Sequence, residues 1–245
     1  MSPGDLGQVL KPFVFLDHFD MEQASFPGVG LHPHSGIATV TYLFEGSVRY
    51  EDSTGATGLV LAGGVEWFKA AHGAWHGGGP GDTGRARGFQ LWLALPPEQE
   101  LGAVENIYLS PDAVARDGPA RILVGTHGGA ASPLRFPAPL NYLVVRLRAG
   151  ESWHYQPAVD HAVGWVSPST GRLRVPETVD AGELAVFEPS NDAMPRPAEL
   201  PWAKPSIAVK SSKSFERCVS HRLDVAPTAL PVEKFSVNVM SRLPR

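Results

Sequence analysis

Short runs rich in Val, Leu, Thr, Trp and Phe recur along the chain, each broken by glycine, proline or a polar turn, and this is the patterning of strands joined by turns. It predicts strands over Thr39–Phe44, Val48–Glu51, Gly58–Leu61, Val65–Ala70 and Phe89–Leu95. A second series follows over Tyr142–Leu147, Ala162–Val166, Gly171–Val175 and Glu183–Phe187. Few windows carry the 3.6-residue period of an amphipathic helix. The best short-helix candidate is Ser110–Gly118, where Ser110, Pro111 and Asp112 read as N-cap, first helical position and acidic first turn. The chain therefore reads as all-β.

An internal echo bears on the domain count. The run Ala62-Gly63-Gly64-Val65-Glu66-Trp67-Phe68 has a counterpart in Ala181-Gly182-Glu183-Leu184-Ala185-Val186-Phe187, and each follows a strand, a glycine turn and another strand. The offset of 119 residues between Ala62 and Ala181 is too long for a solenoid repeat of about 20–50 residues and suits a duplicated domain. Two antiparallel β barrels or jelly-roll-like sandwiches in tandem are the expected architecture, over residues 1–125 and 126–245, with the turn-rich stretch Gly125–Pro139 as linker.

Composition narrows the function classes. The 245 residues are 43% apolar and 19% charged, ordinary for a chain that buries a core. Twenty-one basic against 25 acidic residues give a formal charge of −4, too small and of the wrong sign for broad phosphate-backbone binding, so nucleic acid is not an expected partner. The single Cys218 cannot form an intrachain disulfide. Met1 is followed by Ser2-Pro3-Gly4-Asp5, without a basic or an apolar leader pattern, and no stretch approaches the ~18 apolar residues of a membrane span. A cytoplasmic address and no membrane association are the expectations.

Three of the nine histidines stand where metal chemistry would want them. His32 and His34 flank Pro33, and in extended backbone residues i and i+2 share a face, so both imidazoles can converge while the proline holds their spacing. His76 follows the strand Val65–Ala70, and a barrel brings such distant segments side by side. Three imidazoles leave metal positions open for water or substrate. For His18, His72, His127, His154, His161 and His221 a surface or hydrogen-bonded core role is favoured. Gly77-Gly78-Gly79-Pro80-Gly81 reads as a flexible loop at the rim of this site, because it lacks the helix and Lys-Ser/Thr of a phosphate cradle. No Gly-x-Ser-x-Gly elbow supports a serine nucleophile. Trp67, Trp75 and Trp92 read as core, with Trp75 also a candidate to line an aromatic pocket.

Several ordered runs carry a resemblance. Pro12-Phe13-Val14-Phe15-Leu16-Asp17-His18-Phe19-Asp20, His32-Pro33-His34 with the following Ser35–Gly46, Asp52-Ser53-Thr54-Gly55, Gly63-Gly64-Val65-Glu66-Trp67, and Gln90-Leu91-Trp92-Leu93-Ala94-Leu95-Pro96 together resemble the N-terminal signature of the pirin family. The resemblance implies two cupin domains, of which the first alone holds a divalent transition metal, usually iron, with zinc or nickel as other candidates. Some members oxidise the flavonol quercetin with dioxygen, and others regulate through protein contacts. The family's metal-binding histidines map onto His32, His34 and His76.

Two family carboxylates are missing: Gly78 stands where the fourth ligand would be, and Ala38 stands four residues after the second histidine. Glu66 and Glu45 could each supply a replacement, although strand-exposed or turn roles are favoured for both. At the duplicated offset the counterpart of His76 is Pro195, so no metal site is expected in the second domain. Two functions follow: a metal-dependent dioxygenase acting on a flavonol-like or other small aromatic molecule, or a regulatory bicupin with a protein partner and a degenerate, even metal-free, site.

Overall fold

A computed structural model describes residues 10–22, 24–158, 161, 163–175, 177–187, 208–209, 221–225 and 235–242. They form two compact units, Met1–Val114 and Ala115–Arg245. The first contains β1 (Phe13–Glu22), β2 (Val29–His34), β3 (Ile37–Asp52), β4 (Thr57–Leu61), β5 (Val65–Lys69), β6 (Ala74–Pro80), β7 (Arg85–Ala94), a short helix α1 (Pro97–Glu100) and β8 (Glu105–Leu109). No helix among the described residues is long and apolar enough to cross a membrane.

Strand β3 organises this unit. Its first half pairs with β7 on one side and β5 on the other, within the order β1-β7-β3-β5-β8. Its second half pairs with β4 and β6, and β6 carries β2. The change of partners coincides with a register shift between Leu43 and Glu45, just before Gly46 at φ 79°. Such an irregularity bends a strand and increases its twist. Sequence reading places a turn between Thr39–Phe44 and Val48–Glu51, yet the chain passes through as one bent strand because glycine absorbs the bend. A Cβ at Gly46 would collide with the Arg85 carbonyl. Gly46→Ala is therefore expected to destabilise the protein by about 1–3 kcal/mol or more, read as a lower urea midpoint, since a positive φ and a backbone clash coincide. An unchanged midpoint would mean that the bend tolerates a side chain.

Alternation along the β5-β3-β7 ladders separates two faces. Val40, Tyr42, Trp67, Leu91 and Leu93 are fully buried on one of them, each contributing about 1.5–3 kcal/mol by removal from water. The other carries Thr39, Thr41, Glu66, Phe68, Gln90 and Trp92, in register rows such as Glu66-Thr41-Gln90. These six side chains form the wall against which the histidines of β2 and β6 pack.

The glycine run Gly77–Gly79, expected as a loop, is part of β6 and pairs residue by residue with Glu51, Tyr50 and Arg49. At Gly77 packing is close: a Cβ there would lie 3.1 Å from the Leu31 nitrogen and the Val29 carbonyl, so a side chain would push β2 away from β6.

The second unit contains β9 (Ala115–Asp117), β10 (Ala120–Val124), β11 (Thr126–His127), β12 (Ala130–Ala131), β13 (Leu140–Leu147), β14 (Ser152–Tyr155), β15 (Val163–Pro168), β16 (Arg172–Val175), β17 (Glu177–Asp180), β18 (Ala185–Phe187), β19 (Ala208–Val209), β20 (His221–Val225) and β21 (Phe235–Arg242). Its main sheet runs β19-β18-β15-β21-β13-β10-β9, beside a four-stranded β14-β20-β16-β17 sheet and the small β11-β12 pair. Ile122, Leu143, Val145, Val166, Leu173 and Phe187 belong to its buried core. The C-terminal residues, which match no sequence pattern, supply β21, placed between β13 and β15.

Two expectations shift here. The units part at Val114 and not at Gly125, because β9 and β10 are antiparallel neighbours and β10 pairs with β13. Ser110–Gly118 is not a helix: Ala113 N–H bonds the Ser110 carbonyl in a single turn, and the chain then enters β9. Ladder pairing with β10 outweighs the weak helical preference of so short a segment. The echo, in contrast, is a repeated turn. Gly64 N–H bonds the Leu61 carbonyl and Glu183 N–H bonds the Asp180 carbonyl, with Gly63 at φ 87° and Gly182 at φ 81°.

Candidate metal centre

His32 and His34 project from β2, and His76 from β6, where His32 is its direct register partner. Extended backbone through Pro33 puts the first two rings on one face, and pairing with β6 brings the third to them. Their nitrogen donors all lie within 4.8 Å of one another. Ring centroids are 5.0 Å apart for His32 and His34, 4.7 Å for His32 and His76, and 5.1 Å for His34 and His76. The three histidines expected from sequence are therefore brought together.

The surroundings fix which nitrogen faces inward. His32 Nδ1–H donates to the Gly30 carbonyl at 2.9 Å, and a carbonyl can only accept, so the His32 lone pair sits on Nε2. His76 Nδ1–H donates to Glu66 Oε1 at 3.1 Å, the tautomer in which a neutral ring offers Nε2 as the acceptor. His34 Nε2 and His76 Nε2 are buried without a hydrogen-bond partner. Burial first, and then the neighbouring His76 and His32 rings, push His34 down to about 4, so at neutral pH its imidazole is uncharged. Buried, neutral, unpartnered imidazole nitrogens are what a divalent metal requires. Aromatic rings hold the set in place: Phe68 stacks on His76 at 4.1 Å between centroids, and Trp92 meets His34 edge-on at 4.9 Å. The residues present thus fit a mononuclear metal with three imidazole donors.

Glu66 has a different place from the strand-exposed role favoured for it. It is 6% exposed, faces the histidines from β5 and lines the cavity beside them. A carboxylate on the far nitrogen of a ligating histidine orients the ring and raises its basicity. Glu45 is exposed and pairs with Arg87 at 3.3 Å. Ala38 is buried in the row with Lys69 and Leu93, on the face opposite Thr39 and Thr41, so no side chain at position 38 could reach the histidines. Gly78 does line the cavity, two residues after His76 and on the same face. Of the two carboxylate losses, only that at Gly78 bears on the site.

A cavity of about 190 Å³ opens beside the rings. Its apolar wall is Phe19, Met21, Phe26, Val29, Val48 and Val60, and Asp17, Thr41 and Gln90 are among its polar residues. Trp92 Nε1–H donates to Gln90 Oε1 at 2.9 Å, and Gln90 Nε2–H donates to Thr41 Oγ1 at 3.3 Å. That chain holds the Gln90 amide in one orientation. These wall residues were not singled out from sequence, although Asp17, Phe19 and Gln90 lie inside the runs that carry the family resemblance. Trp75 lies outside the cavity: it is 50% exposed and points away, while Trp67 is buried and donates to Glu105 Oε1 at 2.9 Å.

The remaining histidines stand apart. His18 stacks on Phe89, His72 Nδ1–H donates to the Gly102 carbonyl, His127 pairs with Asp117, His154 is exposed on β14 and His161 is buried in the second unit. The side chain of His221, and Pro195 as the counterpart of His76, lie outside the described residues.

A family model described as Pirin matches residues 2–93. A pirin-like protein of Caulobacter vibrioides is 38% identical over 185 residues, which cover 71% of this chain and 67% of that protein. A protein of Pseudomonas aeruginosa named "putative quercetin 2,3-dioxygenase" is 43% identical over 111 residues, covering 43% of this chain and 38% of its own length. The matched segments therefore span from well under half to two thirds of these relatives. Among solved structures, quercetin 2,3-dioxygenase from Acinetobacter baumannii aligns with a TM-score of 0.75 at 22% identity, over 98% of this chain and 77% of that one. The bacterial pirin YhhW from Escherichia coli, in complex with nickel(II), aligns with a TM-score of 0.68 at 14% identity, over 99% of this chain and 87% of that one. At such identities the likeness speaks for the fold, and that fold is two cupin domains in tandem.

Proposed function

Because the chain belongs to the pirin family and gathers three imidazoles beside an apolar cavity, we propose that its first domain is a mononuclear metal centre acting as a dioxygenase on a flavonol-like aromatic substrate. The observation that carries this reading is the pair of buried, unpartnered Nε2 atoms of His34 and His76, aimed where His32 Nε2 also points. His32, His34 and His76 would hold the ion, iron by family resemblance, with zinc and nickel also suited to imidazole. Once bound, it would supply a Lewis-acidic template for a substrate oxygen.

The rest is the work of this chain's own residues. Phe19, Phe26 and Val48 line the cavity with apolar surface against which an aromatic ring would pack, excluding water. Thr41 and Gln90 provide hydrogen-bonding groups that orient substrate hydroxyls. Glu66 keeps His76 in the Nε2-acceptor tautomer through one carboxylate oxygen, and the carboxylate is placed to take the proton of a phenolic hydroxyl entering the cavity.

The test is elemental analysis followed by quercetin turnover under air, monitored by loss of the flavonol absorbance and by oxygen uptake. About one transition metal per chain and oxygen-dependent turnover are expected. Metal without turnover on any flavonol would overturn the catalytic half of the reading. Glu66→Ala is expected to weaken metal binding by about 10–100-fold, the usual effect of removing a carboxylate behind a ligand. Glu66→Gln keeps an oxygen acceptor for His76 Nδ1–H and should retain most of the metal while losing turnover. Equal metal loss in both variants would assign Glu66 a purely electrostatic role.

A second reading, a regulatory bicupin with a protein partner, is favoured by Gly78 and by apolar side chains displayed on β2, β4 and β6. Leu31, Leu61 and Trp75 are 51%, 48% and 50% exposed. Metal content without turnover would select it.

A further inference from the structure

We propose that the outer face of the β2-β6-β3-β4 strands in the first unit is a self-association surface, and that its occupant is a second copy of this chain. The inference rests on neither reading of the metal site, and it gives to a second copy the face that the regulatory reading leaves to a protein partner. Alternation separates the two sides of these strands. His32, His34, His76 and Val60 turn towards the metal side, so Leu31, Trp75, Leu59 and Leu61, each one residue out of phase with them, turn outwards. With Val29, they are five of the six large hydrophobics that stand exposed among the described residues. Register rows on this side run Leu59-Arg49-Gly79 and Thr57-Glu51-Gly77. They border a recess of about 700 Å³ that Gly30 and Gly79 also line, and nothing lies within 4 Å of where a Cβ on either would be. The face thus offers a bare glycine floor and, four residues from Gly79 on the same strand and the same side, a tryptophan that is 50% exposed.

Charge and shape select a copy of this chain. In a two-fold contact the same patch serves both partners, so it must be complementary to itself. The charged residues that line the recess are Arg49 and Glu51, opposite in sign and two residues apart on one side of β3. A two-fold axis crossing the strands at the Tyr50–Gly78 row runs the two sheets antiparallel and brings Arg49 of each copy to Glu51 of the other. A patch of a single sign would instead repel its own copy. Arg49 pairs with Asp82 within the chain, but both side chains are 59% exposed, and so exposed a pair is readily shared with a second carboxylate. The same axis sends Trp75 towards the far end of the other copy's β6, where Gly79 is bare. A tryptophan contributes about 150–250 Å² of contact area, and buried Trp and Arg are the side chains on which interface affinity concentrates. Leu31, Leu59 and Leu61 surround these anchors with apolar area that association removes from water.

The experiment is sedimentation velocity on the full chain over a concentration series, with and without chelator. The mass should rise from the 26.3 kDa of one chain towards twice that value as concentration increases, equally in both buffers. Trp75→Glu and Gly79→Leu should each move the midpoint to a concentration about tenfold higher or more, the first by charging the anchor and the second by filling the recess. Trp75 is half exposed and the space beside Gly79 is open, so both variants should melt like the parent. Leu61→Glu, at a position 48% exposed, serves if either does not. Arg49→Glu should weaken association, and adding Glu51→Arg should restore it, a recovery that general stickiness of an apolar face would not produce. A monomer at every concentration up to about 0.5 mM would overturn the proposal and leave the face to a different protein. A mass beyond the dimer, a dimer lost with chelator, a dimer indifferent to these substitutions, or no recovery in the charge swap would overturn it as well.

Discussion

Alanine in place of His34 or His76 is expected to leave the purified protein with little or no stoichiometric metal. Apparent binding energies of about 10–16 kcal/mol for four-ligand zinc sites correspond to about 3 kcal/mol per ligand, or roughly two orders of magnitude in affinity. In a set of three side-chain donors no other ligand can take over that loss. His76 should be the more sensitive position, because its removal also strands the buried Glu66 carboxylate without its 3.1 Å partner. The apo form of His76→Ala should therefore unfold at a lower temperature than the apo parent, whereas His34→Ala removes an unpartnered nitrogen and costs mainly packing against Trp92. Alanine at His18, His72, His127 or His154 should leave metal content unchanged, because none of those rings belongs to the three-histidine grouping. Elemental analysis and thermal melts with and without chelator measure both effects. Full metal content in His34→Ala would mean that the three imidazoles do not hold the ion together.

His32-Pro33-His34 was legible because a two-residue period in extended backbone places both rings on one face regardless of the rest of the fold. His76 depended on register, which strand pairing sets and composition does not, so its place just beyond a strand made it a candidate and the family resemblance made the assignment specific. Glu66 was misjudged because a glutamate in a short strand is usually solvated, and only the β3-β5 pairing shows that this one looks across at His76. The weight given to Ala38 was corrected by parity alone: position 38 is one residue out of phase with Thr39 and Thr41. Glycine signals turn in most contexts, and Gly77–Gly79 departs from that rule because its residues pair in register between β2 and β3, with β2 backbone lying close over Gly77. In the second unit β21, central to its sheet, had no legible role, since its partners β13 and β15 are far away in sequence.

Gly78→Glu is expected to tighten divalent-metal binding by about tenfold to a hundredfold and to shift the preference from zinc towards iron. Gly78 is in regular strand pairing opposite Tyr50, and its φ is not in the left-handed region, so the backbone accepts a side chain. By alternation that side chain leaves the sheet on the same face as His76, into the cavity that Gly78 already lines. The added Cβ would meet Val48 Cγ1 at 3.3 Å and the Arg49 carbonyl at 3.4 Å. Val48 can give by a few tenths of an ångström, at an overpacking cost of about 1–3 kcal/mol. Without metal, the new carboxylate shares a cavity with Glu66 and Asp17, and mutual repulsion adds to that cost. With metal, the anionic oxygen completes a mixed nitrogen and oxygen set and offsets the ion's charge. The signs therefore oppose each other: the apo variant should melt below the apo parent, and saturating Fe²⁺ or Zn²⁺ should raise its melting temperature by more than it raises the parent's. Competition titration against a calibrated chelator gives the affinities directly. An apo variant that is destabilised and gains nothing from either ion would show that the Gly78 backbone does not direct its side chain to the three imidazoles, and that the carboxylate of this site is Glu66 alone.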